Sequence, residues 1–116
     1  MGAINSINWA RVLAQITYYF YSWLRVTDPI KAAGGKAHSM KLNYAVPTGN
    51  FGDILAGYYA KRMGLPVDHL VVCTNENDVL HRFLQTGVYR KSPATLSIAP
   101  SMDISVSSNL KDIYII

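Results

Sequence analysis

The sequence predicts an α/β fold. Two strand-length runs at 41–46 and 69–74 alternate with stretches of helical spacing, and each run ends at turn-forming or capping residues. Composition agrees: 116 residues that are 50% hydrophobic and 16% charged supply a core for one domain and too little chain for two.

The first element is a helix over about 7–25. Trp9, Val12, Leu13, Ile16, Phe20, Trp23 and Leu24 recur at i, i+3, i+4 and i+7, with Arg11, Gln15, Tyr18, Ser22 and Arg25 largely off that face. Asn5 and Ser6 are good N-cap types, able to accept from the free amides of a first turn. Pro29 disfavours helical geometry at Asp28, so the helix is predicted to stop there, and 26–40, with Gly34-Gly35 and no periodicity, reads as a loop. The run from Lys41 to Val46 reads as a strand ending at Pro47-Thr48-Gly49. Ile54, Leu55, Tyr58, Tyr59 and Met63 then mark a helix stopped by Gly64 and Pro66. His69 to Thr74 is continuously apolar in its middle, the pattern of a parallel strand buried on both faces. Asn75 to Asp78 offers caps for a helix through Val79, Leu80, Phe83 and Leu84 that Gly87 ends. Together these form a βαβ unit followed by one helix. Beyond them, 88–101 reads as loop, 102–106 as a short strand, and Ser107-Ser108-Asn109 as the cap of a new helix through Leu110, Ile113 and Tyr114.

Eleven Lys and Arg against seven Asp and Glu give a net charge of +4, but the basic residues are scattered and form no nucleic-acid footprint. The lone Cys73 excludes an internal disulfide and a Cys-based zinc site, and inside an apolar strand it reads as a buried small hydrophobe. His38, His69 and His81 share no ligand spacing, so no metal site is expected. The tyrosines of the first two helices read as packing groups with a polar tip. The N-terminus has no basic n-region of an export signal, and 12–24, interrupted by Gln15, Thr17 and Ser22, falls short of a membrane span. A soluble, cytoplasmic chain is expected.

Two constellations carry chemistry. Gly49-Asn50-Phe51-Gly52-Asp53 lies between a predicted parallel strand and a helix start, where unpaired amides and the positive end of the dipole meet an anion and glycines permit positive φ and close approach. It is neither GxGxxG nor a P-loop, and a plain strand-to-helix turn accounts for it equally. Asn5-Ser6-Ile7-Asn8-Trp9-Ala10-Arg11 sets three polar side chains and a guanidinium around a helix start. Arg11 has the chemistry to hold a phosphate or carboxylate, and an ordinary cap beside a solvated arginine is the alternative.

Taken together and in order, NSINWARVLAQITYYFYSW, VPTGNFGDILAGYYAKRMGLP, CTNENDVLHRFLQTGVY and PSMDISVSSNL closely resemble the middle of the threonine synthases of the fungal and long bacterial type, over about 4–114 apart from the loop at 26–40. The resemblance implies a single partial domain, part of the three-layer αβα parallel-sheet large domain of a fold-type II pyridoxal-phosphate enzyme, tryptophan synthase beta-like. It implies a lyase of threonine biosynthesis that converts O-phospho-L-homoserine and water to L-threonine and phosphate with pyridoxal 5'-phosphate as cofactor. Carried over, it makes Gly49, Asn50, Phe51, Gly52 and Asp53 the loop that binds the cofactor phosphate. Ser6 and Arg11, with Asn50, would take the substrate phosphate, and Asn5 and Asn8 would shape that pocket. The family's Schiff-base lysine lies in an N-terminal part, and a hydroxyl residue near its C-terminus contacts the pyridine nitrogen. The six lysines here match no such context, so the resemblance implies that the remaining N- and C-terminal parts are partners and that this chain is inactive alone.

Two other classes use the same residues. A Rossmann-type nucleotide module would want a third glycine and an acidic residue where the second strand ends in Thr74-Asn75. A non-catalytic interaction fragment would present Trp9, Trp23 and Ile115-Ile116 to other parts of a sheet.

Overall fold

The computed structural model describes residues 8–112. Five elements organise it: helix α1 (Trp9–Ala32), strand β1 (Leu42–Pro47), helix α2 (Gly52–Arg62), strand β2 (Val67–Cys73) and helix α3 (Val79–Thr86), with short 3-10 turns at Ala37–Ser39, Pro100–Met102 and Leu110–Asp112. The two strands pair in parallel, as a βαβ unit requires, in the register Tyr44 with Leu70, Ala45 with Val71 and Val46 with Val72. An irregularity separates Leu42 from Tyr44, and there the Asn43 side-chain oxygen accepts from the His69 amide at 3.0 Å.

Helix α1 begins one residue after Asn8, whose side-chain oxygen accepts from the Ala10 amide at 2.9 Å. Asn5 and Ser6, the expected caps, lie outside the described residues, and Asn8 fills that role. The buried face is Val12, Ile16, Tyr19, Trp23 and Thr27, so Tyr19 and Thr27 take places that hydropathy alone gives to Leu13, Phe20 and Leu24. Nor does the helix stop before Asp28-Pro29. It runs through Pro29 to Ala32 and closes at Gly34, φ 76°, where the Gly35 amide donates to the Ile30 carbonyl at 2.8 Å. Proline removes one donor and disfavours the α region before it, but helix formers follow in Ile30 to Ala33, and fully buried Thr27 anchors the turn through its hydroxyl to the Trp23 carbonyl at 2.8 Å. Much of the loop expected over 26–40 is therefore helix.

The core joins one face of α1 to α2 and to the inward side of the strand pair, with Leu55, Ala56, Ala60, Val46, Val67 and Leu80 at its centre. Gly57 lies tight against α1: a Cβ there would lie 2.7 Å from the Tyr19 ring and 3.0 Å from Leu70 Cδ2. The expectation that β2 is buried on both faces fails. Val67 is buried, Leu70 and Val72 are half-buried, and Val71 is 48% exposed, because among the described residues α2 covers one face of a two-stranded sheet and nothing covers the other. Cys73, at the end of that strand, is exposed rather than buried for the same reason.

One further expectation is corrected. Residues 102–106 form no strand; Asp103 instead accepts from Ser97, Asn75 and Asn77 and folds the segment back on itself. The chain turns as a 3-10 helix over Leu110–Asp112, and the helix expected through Ile113 and Tyr114, which Ser107, Ser108 and Asn109 would cap, lies outside the described residues. No helix among the described residues is long and apolar enough to cross a membrane.

Candidate anion site at the carboxyl end of the strands

A cleft of about 550 Å³ opens at the carboxyl end of β1, lined by Pro47 to Asp53, by Arg11 and Gln15 of α1, and by Ser101 and Met102. The buried Thr48 fixes the strand end: its amide donates to the Cys73 carbonyl at 2.8 Å and its hydroxyl to the Val46 carbonyl at 2.6 Å. Phe51 then adopts φ 67° and ψ 4°, a left-handed conformation that costs a non-glycine residue about 1–2 kcal/mol and that its buried ring holds in place. The positive φ expected of the glycines thus belongs to Phe51. The close approach expected of the glycines is not forced at Gly49: a Cβ on it would stand 3.4 Å from the Ser101 carbonyl and 3.6 Å from Met102 Cα, ordinary van der Waals contact. Among the described residues no side chain caps α2, so the amides of its first turn, which no helix satisfies internally, open at the cleft.

The structure brings Arg11 to the Gly49-Asn50-Phe51-Gly52-Asp53 loop, which are 38 or more residues apart in sequence. Asn8 is committed to its cap and does not line the cleft, while Asn5 and Ser6 lie outside the described residues. Sequence reasoning missed Gln15, Thr48, Ser101 and Met102. For Gln15 the signal was present: it lies four residues beyond Arg11, on the same face of α1.

Asp53 is the one carboxylate on the lining. Burial holds its carboxyl above the ordinary range, with neighbouring Tyr19 and Arg11 pulling it back down. The Tyr19 hydroxyl donates to the Asp53 main-chain carbonyl at 2.9 Å, and burial, reinforced by the Asp53 charge, pushes that phenol far above its usual range. No group of three or more His, Cys, Asp or Glu positioned for a metal occurs among the described residues.

No family model matches the chain. The threonine synthase of Eremothecium gossypii is 56% identical over 112 residues, 96% of this chain and 20% of that protein. The threonine synthase of Saccharomyces cerevisiae is 54% identical over the same coverage of 96% and 20%. The crystal structure of PLP-bound threonine synthase from Brucella melitensis superposes with a TM-score of 0.84 at 45% identity, over 97% of this chain and 22% of that one. The chain spans about a fifth of the length of these relatives. Over that fifth it is homologous to the threonine synthases and has the α/β fold of these fold-type II enzymes.

Proposed function

We propose that this chain supplies the phosphate-binding part of a pyridoxal-phosphate-dependent threonine synthase, an enzyme that converts O-phospho-L-homoserine and water to L-threonine and phosphate. The observation that carries it is the meeting of Arg11 with the start of α2 and the turn from Gly49 to Asp53 on one cleft. Those groups fit a phosphate monoester: main-chain amides and a helix dipole on one side, a guanidinium on the other, and no backbone bulk at Gly49. When bound, pyridoxal phosphate supplies an electron sink for carbanion character at the substrate carbons. The chain's own part is to bind and orient. The amides of 49–53 take the cofactor phosphate, and Arg11, with Ser6 and the Asn50 side chain, takes the phosphate of the substrate, next to a pocket that Asn5 shapes, while Asn8 caps α1. Asp53 stands on the same lining, its carboxyl raised by burial and drawn partly back by Tyr19 and Arg11.

No lysine lines this cleft, so the covalent anchor and the proton-moving amine come from another part of the enzyme. The 116-residue chain with pyridoxal phosphate is therefore expected to release no phosphate from O-phospho-L-homoserine. Added to an N-terminal segment of a threonine synthase that carries a lysine, it is expected to give a visible absorbance band that neither piece gives alone. Turnover by the chain alone, or a band that Gly49→Val leaves unchanged, sinks the reading.

A further inference from the structure

We propose that Ser107 and Asn109 are positioning residues for the anion-binding loop, fixing the peptide planes of Gly49 and Asn50 so that their amides serve the cleft; this rests on reading that cleft as a phosphate site. The Ser107 hydroxyl donates to the Gly49 carbonyl at 3.0 Å. Asn109 donates twice to the Asn50 carbonyl, from its main-chain amide at 3.1 Å and from its side-chain amide at 2.8 Å. Ser108 adds a hydroxyl to the Asn50 side-chain oxygen at 3.3 Å. Ser107 and Asn109 are buried, and the Ser107 amide is itself held by the Tyr89 hydroxyl at 2.6 Å, so the donors are fixed before any ligand arrives.

The consequence follows from the planarity of the peptide bond. In a trans peptide the carbonyl of one residue and the amide of the next point in opposite directions. Pulling the Gly49 and Asn50 carbonyls toward 107–109 turns the Asn50 and Phe51 amides away from that segment, and 107–109 is not part of the cleft lining. Two carbonyl oxygens that would repel an anion are also neutralised, and each peptide so polarised donates more strongly on its other side. None of these residues touches the ligand; they act through the loop.

The test uses the full 116-residue chain and two aldehyde-free probes, pyridoxine 5'-phosphate and pyridoxine, which do not react with lysines. Titration gives the ratio of the two dissociation constants, a measure of phosphate recognition alone, and circular dichroism checks folding. Asn109→Asp replaces the side-chain donor by an acceptor of the same shape, and Ser107→Ala removes the hydroxyl while Ser107→Thr keeps it. The phosphate preference is expected to fall about tenfold in the first two. It is expected to persist in Ser107→Thr, with pyridoxine affinity unchanged throughout. Folded variants that keep the preference overturn the positioning role, as does equal weakening for both probes, which would mark plain structural support. The Ser107 pair decides the matter where Asn109→Asp does not fold. A wild-type chain indifferent to the phosphate instead overturns the site reading itself, and the positioning role with it.

Discussion

Asp53 and Asp103 are carboxylates shifted in opposite directions, and their pH signatures separate them. Burial raises Asp53, so the folded chain holds its proton more tightly than the unfolded chain does. The stability Asp53 contributes is therefore complete below its ordinary value of 3.8 and is lost as pH rises through the higher native value. Asp53→Asn removes that loss, and because the Tyr19 hydroxyl bonds the main chain, that bond survives the change. Urea midpoints measured from about pH 3 to pH 7 are expected to show the variant gaining on wild type as pH rises through this window. Parallel curves would refute the assignment. Asp103 behaves conversely: donors from Ser97, then Asn75, hold its carboxyl below the ordinary range, so its stabilisation is present above 3.8 and lost as pH falls through the lower native value. Asp103→Asn sets an amide against the donors of Asn75, Asn77 and Ser97, and is expected to lower the midpoint at neutral pH and abolish that acid dependence.

Helix packing is decided at Gly57, where an added Cβ would strike the Tyr19 ring at 2.7 Å. Tyr19 has little room to yield, since its hydroxyl is tied to Asp53 and its ring lies against Tyr44 at 4.9 Å between centroids. Gly57→Ala brings up to about 1 kcal/mol of helix propensity but costs about 1–3 kcal/mol of overpacking, so a net loss near 1 kcal/mol is expected in denaturant titration. A stabilised variant would contradict this helix contact. The elements were largely legible in the sequence because β1, α2, β2 and α3 each combine a pattern with a stop signal, as Gly64 and Gly87 do at the ends of α2 and α3. What escaped depends on partners far along the chain. Pro29 stays helical because the residues after it favour helix and Thr27 is buried at the contact. Ser107 and Asn109 resemble a helix cap locally, yet their donors reach carbonyls 58 and 59 residues away. The site followed the same division: the loop at 49–53 and Arg11 were visible as chemistry, whereas Ser101 and Met102 join the cleft only because Asp103 folds their segment toward Asn75 and Asn77.

The molecule as a whole leaves apolar surface uncovered. Val71 is 48% exposed on the bare face of the strand pair, and Leu96 and Ile98 project fully from the segment that Asp103 pins. Trp23, by contrast, is buried with its indole N–H donating to the Met40 carbonyl at 3.2 Å, so of the two tryptophans expected at an interaction surface only Trp9, 54% exposed, presents one. Among the described residues the two-stranded sheet has an open face and unpaired outer edges, which makes it prone to association, and this chain spans a fifth of the length of its relatives. The 116-residue chain is therefore expected to self-associate as its concentration rises in sedimentation velocity. Val71→Lys places a charge on that face at the cost of no core contact, so it is expected to weaken association about tenfold while changing folding stability by no more than about 0.5 kcal/mol. A chain that stays monomeric at every concentration would refute the self-association, and a lysine variant that associates as strongly as wild type would leave Leu96 and Ile98 as the adhesive surface.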